Sequence, residues 1–234
     1  AREMGFTSID YNQLHAWWED STDLPDRPIM FDFDHPMMSM REDIHSALSR
    51  HGYTGNLFIN TGMMDPESSG YNDQTMTWNE VRELVELGWH IGAHTVTHPN
   101  LSQLFEKDPT GETLAEELKE CDAVIERELG TRPRDFAFTG TSWSSAAEKQ
   151  VMARYRFGRL WIVGTEYQAD GEKIRYADLV GVEGSDEEDG GPPYAARYIR
   201  RDSHPYRLPS MDIQRSLIYS PEAFRRYLEG ALEP

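Results

Sequence analysis

The feature that most constrains the fold is a regular alternation, through residues 28–163, of short apolar segments with segments of helical period. The segments typical of β-strands are Ile29–Asp34, Asn56–Asn60, the stretch that ends at His94, Phe136–Phe138 and Leu160–Val163. The predicted helices begin at Ser39, Thr77 and Ser145, each followed three residues later by a glutamate, and the longest carries Leu114, Leu118, Cys121, Ile125 and Leu129. This order predicts a parallel α/β fold whose functional residues lie at the carboxyl ends of the strands.

Two histidines, His94 and His98, follow one of these predicted strands. Because Pro99 steers His98 away from helical dihedrals, the pair does not occupy one face of a helix. We expect a turn to carry His98 back beside His94, where neutral imidazoles can bind zinc or a similar divalent metal. The pair alone leaves open the alternative of hydrogen-bonded core or surface histidines.

An earlier segment supplies carboxylates. In the predicted strand, Asp32 and Asp34 fall on one face because side chains alternate along a strand. Two carboxylates on one face near a strand's end are costly unless something cationic meets them. Two histidines and one aspartate, with a position left for water, form the ligand pattern of a catalytic metal site.

Composition excludes several classes of protein. The net charge of −18 argues against a nucleic-acid partner, and no apolar run approaches the length of a membrane span. The single cysteine, Cys121, excludes an internal disulfide framework and lies in an apolar stripe typical of a core thiol. The first residues do not resemble a signal peptide, so the expected location is cytoplasmic, or secreted after processing. The oligomeric state is left open.

The domain organisation follows from where the alternation begins. Residues 1–27 are interpreted as an N-terminal extension, in which Leu14, Trp17 and Trp18 form one side of a short helix packed on the body. Residues 28–234 are interpreted as one catalytic domain. Its less regular last third is predicted to contain a strand within Tyr206–Ile213 and a helix that begins at Ser220 and Pro221.

With these residues in view, the chain resembles the polysaccharide deacetylases, the family of the chitooligosaccharide-deacetylase (NodB) homology domain. Gly92, His94, His98 and Pro99 fit its His-Ser/Thr-x-x-His-Pro motif, and Asp34 with Pro36 fits the end of its Thr-Phe-Asp-Asp-Gly-Pro motif. The resemblance runs from about residue 29 to about residue 228. It implies a distorted, incomplete (β/α) barrel of the seven-stranded type with a parallel sheet core. It also implies a divalent metal, most often zinc, and hydrolysis of acetyl groups from N-acetylated sugars.

The resemblance also implies roles for individual residues. Asp34, His94 and His98 correspond to metal ligands, and Asp32 to the general base, although Phe33 separates two aspartates that are adjacent in most of the family. For Asp32 the alternative is a carboxylate that orients a ligating histidine. Another departure is His35, which stands where the family usually has glycine.

Three further residues are candidates in the second half of the chain. The family's late Leu-His motif is absent, so His204 is the candidate catalytic acid by elimination, with an ordinary surface histidine as the alternative. Thr139 lies at a predicted strand end, and Trp143, just beyond it, is the tryptophan assigned to a sugar-binding groove. Both are predicted substrate-binding residues.

Two other functions remain compatible with the sequence. Relatives in this superfamily open cyclic amides or ureides such as allantoin, and Thr139-Gly140-Thr141, in place of the usual Pro-Tyr-Gly or Arg-x-Pro, permits a small substrate. A carbohydrate-binding relative that has lost the chemistry is the alternative that is not an enzyme. The expected partner is therefore a carbohydrate or a small amide.

Overall fold

Short strands separated by helices run through the chain, as the alternation predicts. The computed structural model describes residues 1–213 and 218–232, apart from the side chain of Phe105. The chain forms two units, the first made of Ala1–His98 and Glu116–Phe136 and the second of Pro99–Ala115 and Ala137–Pro234. Residues 1–27 lie within the first unit, and a domain boundary at residue 27 stays a prediction.

The elements have the following bounds in the described residues. The strands are β1 (Thr7–Ser8), β2 (Pro28–Ile29), β3 (Asp32–Asp34), β4 (Asn56–Ile59), β5 (His90–Ala93), β6 (Asp135–Ala137), β7 (Ser142–Trp143), β8 (Phe157–Ile162), β9 (Glu166–Ala169), β10 (Glu172–Arg175) and β11 (Leu208–Met211). The α-helices are α1 (Tyr11–Trp18), α2 (His45–Ser49), α3 (Trp78–Glu86), α4 (Leu104–Lys107), α5 (Glu112–Leu129), α6 (Ser145–Met152), α7 (Tyr176–Val180) and α8 (Pro221–Gly230). None of the helices in this part of the chain has the length and apolar character that crossing a membrane requires.

The main sheet has six strands among the described residues. In the first unit β3, β4, β5 and β6 lie side by side in that order, and each neighbouring pair is parallel. In the second unit β8 pairs with β11 in parallel. The predicted α/β fold of the incomplete-barrel type, with a parallel sheet core, is confirmed.

The core of the first unit is built around β4. Leu57, Phe58 and Ile59 are fully buried, which is expected for a parallel strand covered on both faces. The buried thiol of Cys121 on α5 lies 3.8 Å from the Ile59 carbonyl oxygen, and burial raises its pKa to about 12. Cys121 is therefore the core thiol that the sequence predicts.

Helix α3 matches its sequence signals at both ends. The Thr77 hydroxyl accepts a hydrogen bond from the Glu80 N–H, and the Glu80 carboxylate accepts one from the Thr77 N–H. This reciprocal pair is the predicted capping box. Gly88, at φ 90°, follows the helix in a conformation that glycine adopts without steric cost. Val81 and Leu84 are buried as predicted, but Val85 is 41% exposed and is not a core residue.

Two predicted elements of the first unit are wrong in detail. The single strand Ile29–Asp34 is two strands, because the chain changes partners. The Ile29 carbonyl accepts from Ile9 N–H beside β1, whereas the Phe31 carbonyl accepts from Asn56 N–H beside β3. The capping box at Ser39 does not form, because Ser39 is itself in helical conformation (φ −57°) and precedes a π-helix at Met40–Ile44.

The N-terminal helix buries Leu14 as predicted, but it does not bury the two tryptophans. Tyr11 and Leu14 of α1 are 0% and 2% exposed, whereas Trp17 and Trp18 are only half-buried and contact each other edge to face. The Asp10 side chain accepts from the Gln13 N–H and caps the helix. This helix therefore brings a tyrosine, rather than a tryptophan, into the interior of the first unit.

The second unit contains a β-hairpin that the strand pattern did not predict. Strands β9 and β10 are antiparallel and are joined by Asp170 and Gly171, both at positive φ. An Asp-Gly pair is a strong hairpin signal, because both central residues of a type I′ turn need positive φ. In the same unit, helix α6 is capped by Ser144, one residue before the predicted Ser145, through a hydrogen bond from the Ala147 N–H.

Gly92 on β5 allows close packing beneath the candidate site. A Cβ atom there would lie inside van der Waals distance of the Phe58 ring and 3.0 Å from the Asp135 carbonyl oxygen. We expect Gly92→Ala to lower the free energy of unfolding by about 1–3 kcal/mol, because the buried ring has to shift in a packed core. Urea denaturation followed by circular dichroism measures this change. Gly164→Ala is the control, since a Cβ at Gly164 meets nothing within 4 Å; equal destabilisation of the two variants would contradict the packing argument.

Candidate metal centre

Three adjacent parallel strands of the first unit end at the same edge. The register pairs Asp34 of β3 with Phe58 of β4, and Phe58 with Gly92 of β5. The backbone bonds continue past the strand ends, since the His35 N–H donates to the Phe58 carbonyl and the His94 N–H donates to the Ile59 carbonyl. Polar residues that follow the three strands are therefore brought together by the sheet itself.

A turn after β5 returns His98 to this edge, as the sequence predicts. The Thr95 hydroxyl accepts a hydrogen bond from the His98 N–H at 3.0 Å, and both residues have positive φ, 67° and 56°. Glu117 on α5 anchors the turn by accepting from the Thr97 hydroxyl at 2.7 Å. The rings of His94 and His98 lie 4.9 Å apart between centroids.

The structure places a third imidazole in the same group. Ligand atoms of His35, His94 and His98 all lie within 4.8 Å of one another. Asp34 is adjacent, with its Oδ2 atom 4.0 Å from Nε2 of the buried His94. Sequence reasoning noted His35 only as a departure from the family pattern. Its place directly after Asp34, at the end of a strand, was the signal that it belongs to the cluster.

Burial and charge favour a neutral His98. Burial, and secondarily the charge of His35, lower the pKa of His98 below its usual 6.5, while Asp34 opposes this shift. An imidazole has to be neutral to bind a metal, so the shift increases the fraction of ring that is ready to act as a ligand at neutral pH.

Both carboxylate oxygens of Asp32 accept hydrogen bonds. The Tyr11 hydroxyl donates to Oδ2 at 2.9 Å, and the Asn56 amide donates to Oδ1 at 3.1 Å. Sequence reasoning missed both partners. Asn56 lies opposite Asp32 in the register of β3 and β4, which a correct pairing would have revealed. Tyr11 comes from a helix distant in sequence and gave no signal.

The cluster has the donor set of a divalent-metal site. Three imidazole nitrogens and a neighbouring carboxylate are ligands that zinc and related first-row metals bind. Ligand atoms that share one zinc ion, each about 2.0–2.1 Å from it, lie about 3.3–4.2 Å apart. Because the three imidazoles are within 4.8 Å of one another, small ring movements would bring them to that spacing. These residues therefore fit a divalent ion.

His90 shares β5 with this edge but has a different partner. Its Nε2 atom lies 3.0 Å from a carboxylate oxygen of Asp135, which is fully buried. This contact pairs His90 with Asp135 and leaves it outside the histidine cluster.

The second unit holds the other predicted site residues. Thr139 is buried, and its hydroxyl donates to the Pro99 carbonyl. His204 is half-buried and its Nδ1 accepts from the Tyr206 N–H. Burial lowers the pKa of His204, Glu148 opposes that shift, and Arg207 adds to it.

Trp143 is packed rather than open. It is 6% exposed, its indole N–H donates to Glu148 at 2.9 Å, and the Arg207 guanidinium lies 4.7 Å from the ring centroid. Arg207 also donates two hydrogen bonds to the carboxylate of Glu148. These contacts support a packing role, because an indole that stacks on a sugar needs an open face. A sugar-binding role for Trp143 stays a prediction, and the function proposed below does not use it.

Fold and site together define a class of protein: a parallel α/β chain with a histidine-rich candidate metal centre at the carboxyl ends of its strands. The sequence profile of the family described as polysaccharide deacetylase matches residues 21–157, which is more than half of the 234 residues. The chain belongs to the polysaccharide deacetylase family. A comparison with curated protein sequences found no match.

Several solved structures, among them two of deacetylases, resemble this chain in fold. The deacetylase PplD of Streptococcus pyogenes, in complex with acetate, is 14% identical over 100% of this chain and 82% of its own, with a TM-score of 0.69. IcaB from Ammonifex degensii is 14% identical over 99% of this chain and 84% of its own, with a TM-score of 0.67. The deacetylase domain of BpsB from Bordetella bronchiseptica is 18% identical over 70% of this chain and 75% of its own, with a TM-score of 0.60. At these identities the likeness establishes the fold alone.

Proposed function

We propose that this chain is a metal-dependent hydrolase that removes acetyl groups from N-acetylated carbohydrate by cleaving a linear amide bond other than a peptide bond. The observation that carries the proposal is the meeting of Asp34, His94 and His98 at the ends of β3 and β5 in a member of the polysaccharide deacetylase family. These are the residues that fit both family motifs. An acetyl ester of a carbohydrate is the closest alternative substrate.

Asp34, His94 and His98 would hold the ion, and zinc is the metal assigned. When bound, it supplies Lewis acidity, which polarises the acetyl carbonyl and makes hydroxide available near neutral pH. The protein's contribution at His98 is a neutral imidazole. The lowered pKa of His98, caused first by burial, disfavours protonation of this ring.

Asp32 would act as the general base. It lies two residues before Asp34 on β3, so the two side chains share a strand face. Tyr11 and Asn56 fix the orientation of its carboxylate, and an oriented base contributes more than a mobile one because the geometry of proton transfer is set in advance. In this role Asp32 takes a proton from the attacking water.

Backbone groups just beyond Asp34 do not serve the developing oxyanion. The His35 N–H is donated to the Phe58 carbonyl, and Pro36 has no N–H. Protonation of the leaving amine is assigned to His204, which remains a prediction. The lowered pKa of His204 makes its protonated form a stronger acid but a less populated one at neutral pH.

The test is acetate release from chitooligosaccharides. We expect the zinc-loaded chain to release one acetate for each new free amine, to lose this activity with a chelator, and to regain it when zinc is restored. An O-acetylated xylan assayed in parallel separates amide from ester cleavage. Opening of allantoin without acetate release would instead support the cyclic-amide enzyme, and chitooligosaccharide binding without turnover would support a carbohydrate-binding protein.

A further inference from the structure

His35 and His98 share an unusual backbone conformation. Both stand directly before a proline, and both have positive φ, 70° and 56°. Positive φ is sterically unfavourable for a residue with a Cβ atom, so such residues persist where the surrounding structure holds them, often at functional sites. One of the two is a proposed metal ligand. The same backbone conformation at His35 is consistent with metal binding by this residue as well.

The ring of His35 faces the other two histidines. Its centroid lies 5.3 Å from that of His94 and 5.0 Å from that of His98. It is the residue that completes the group whose ligand atoms lie within 4.8 Å of one another. The three imidazoles therefore present nitrogen atoms to one small volume.

Asn60 fixes the orientation and the tautomer of His35. The Asn60 side chain is 4% exposed, and its Oδ1 atom lies 2.8 Å from Nδ1 of His35. An amide oxygen only accepts hydrogen bonds, so Nδ1 carries the proton and Nε2 keeps its lone pair. Ligating histidines characteristically donate their second ring N–H to a protein acceptor in this way.

We infer that His35 is a ligand of the same divalent ion, so that the site is built from three imidazoles and Asp34, with Asn60 as the residue that positions His35. The inference rests on the proposed function, because it concerns the metal of that site. A site this rich in imidazole favours zinc, cobalt or nickel over manganese and magnesium, which prefer oxygen ligands. His35 therefore makes the site more selective as well as tighter.

The experiment is a metal titration of the metal-free chain against a chromophoric chelator, with Zn²⁺, Co²⁺ and Mn²⁺. We expect His35→Gly to weaken Zn²⁺ and Co²⁺ binding at least about tenfold. Loss of a residue that only orients a ligand already costs that much, and loss of a ligand itself should cost as much or more. Mn²⁺ binding should change less, so that the preference for zinc over manganese falls. The visible absorption of the Co²⁺ form should also change, because one imidazole is lost.

Two further variants separate ligation from folding. Glycine accepts a φ of 70° without strain, so His35→Gly is expected to fold, and His35→Asn, which also tolerates this conformation, should show the same loss of metal. Asp20→Gly is the backbone control, since Asp20 also has positive φ (53°) and lies outside the histidine cluster. It should leave metal affinity unchanged.

The outcomes distinguish this inference from the proposed function. If wild type and both His35 variants bind Zn²⁺ with the same affinity and the same Co²⁺ spectrum, His35 is not a ligand, while the proposed hydrolase stands. If the wild-type chain binds none of the three metals, the proposed function and the inference both fail. Loss of Zn²⁺ affinity in both His35 variants, with Asp20→Gly unchanged, supports the inference.

Discussion

His98→Asn is expected to reduce both zinc affinity and kcat/KM for acetate release by at least about 100-fold. Loss of a group that only supports a ligand costs 10–100-fold, and loss of a proposed ligand should cost at least as much as the upper end of that range. Asparagine is chosen because it tolerates the positive φ of 56° at this position better than alanine does. The measurements are a zinc titration and steady-state kinetics on a chitooligosaccharide.

A matched histidine substitution makes this result specific. His51→Asn changes an exposed histidine and should leave zinc affinity and kcat/KM at the wild-type values. Circular dichroism of both variants checks that the fold is retained. Wild-type zinc affinity in a folded His98→Asn chain would remove His98 from the ligand set and with it the metal site proposed here.

The histidine pair could be placed from sequence because the interactions that position it are local. Pro99 excludes helix at His98, the preceding apolar run predicts the strand, and the turn between them is closed by Thr95, three residues before His98. Asp34 could be placed for a related reason. Parallel strands that alternate with helices put their carboxyl ends at one edge, which brings residues after β3 and β5 together without knowledge of any side-chain contact.

The partners of Asp32 could not be placed in the same way. Tyr11 reaches Asp32 from a helix 21 positions earlier, and Asn56 reaches it from a neighbouring strand 24 positions later. Neither contact leaves a periodic pattern in the sequence, because each depends on tertiary packing. For His35 the sequence offered one signal, its place directly after Asp34 at a strand end. The direction of its ring could not be predicted, because it depends on a positive φ, which residue type and spacing do not predict outside glycine.

Local signals also explain the errors in secondary structure. Ser39 and Glu42 have the residue types and spacing of a capping box. The serine hydroxyl can cap a helix only when the serine backbone is extended, and the backbone of Ser39 is helical. The β9–β10 hairpin was missed although Asp170-Gly171 carries a turn signal, because the flanking strands are too short and polar to stand out as an alternating pattern.

Asp32→Asn is expected to lower kcat by about 10²–10⁴-fold, the range for loss of a positioned general base, while zinc affinity stays at the wild-type value. Asparagine keeps the size of the side chain and can still accept from the Tyr11 hydroxyl, but it cannot take a proton from water. The measurements are kcat for acetate release and a zinc titration on the same preparations. Both measurements are needed because loss of a general base lowers kcat alone, whereas loss of a carboxylate that orients a ligating histidine also lowers zinc affinity.

If Asp32 instead orients a ligating histidine, the substitution weakens zinc binding and the loss of activity is recovered at saturating zinc. Tyr11→Phe refines the distinction, since it removes one hydrogen bond to the carboxylate and leaves the carboxylate in place. A base that has lost an orienting contact still accepts a proton, so we expect a fall in kcat of about tenfold or less with zinc affinity unchanged. Full activity in Asp32→Asn would contradict the assignment of Asp32 as the general base. The base would then have to be a group other than Asp32 and other than Asp34, which is the proposed metal ligand.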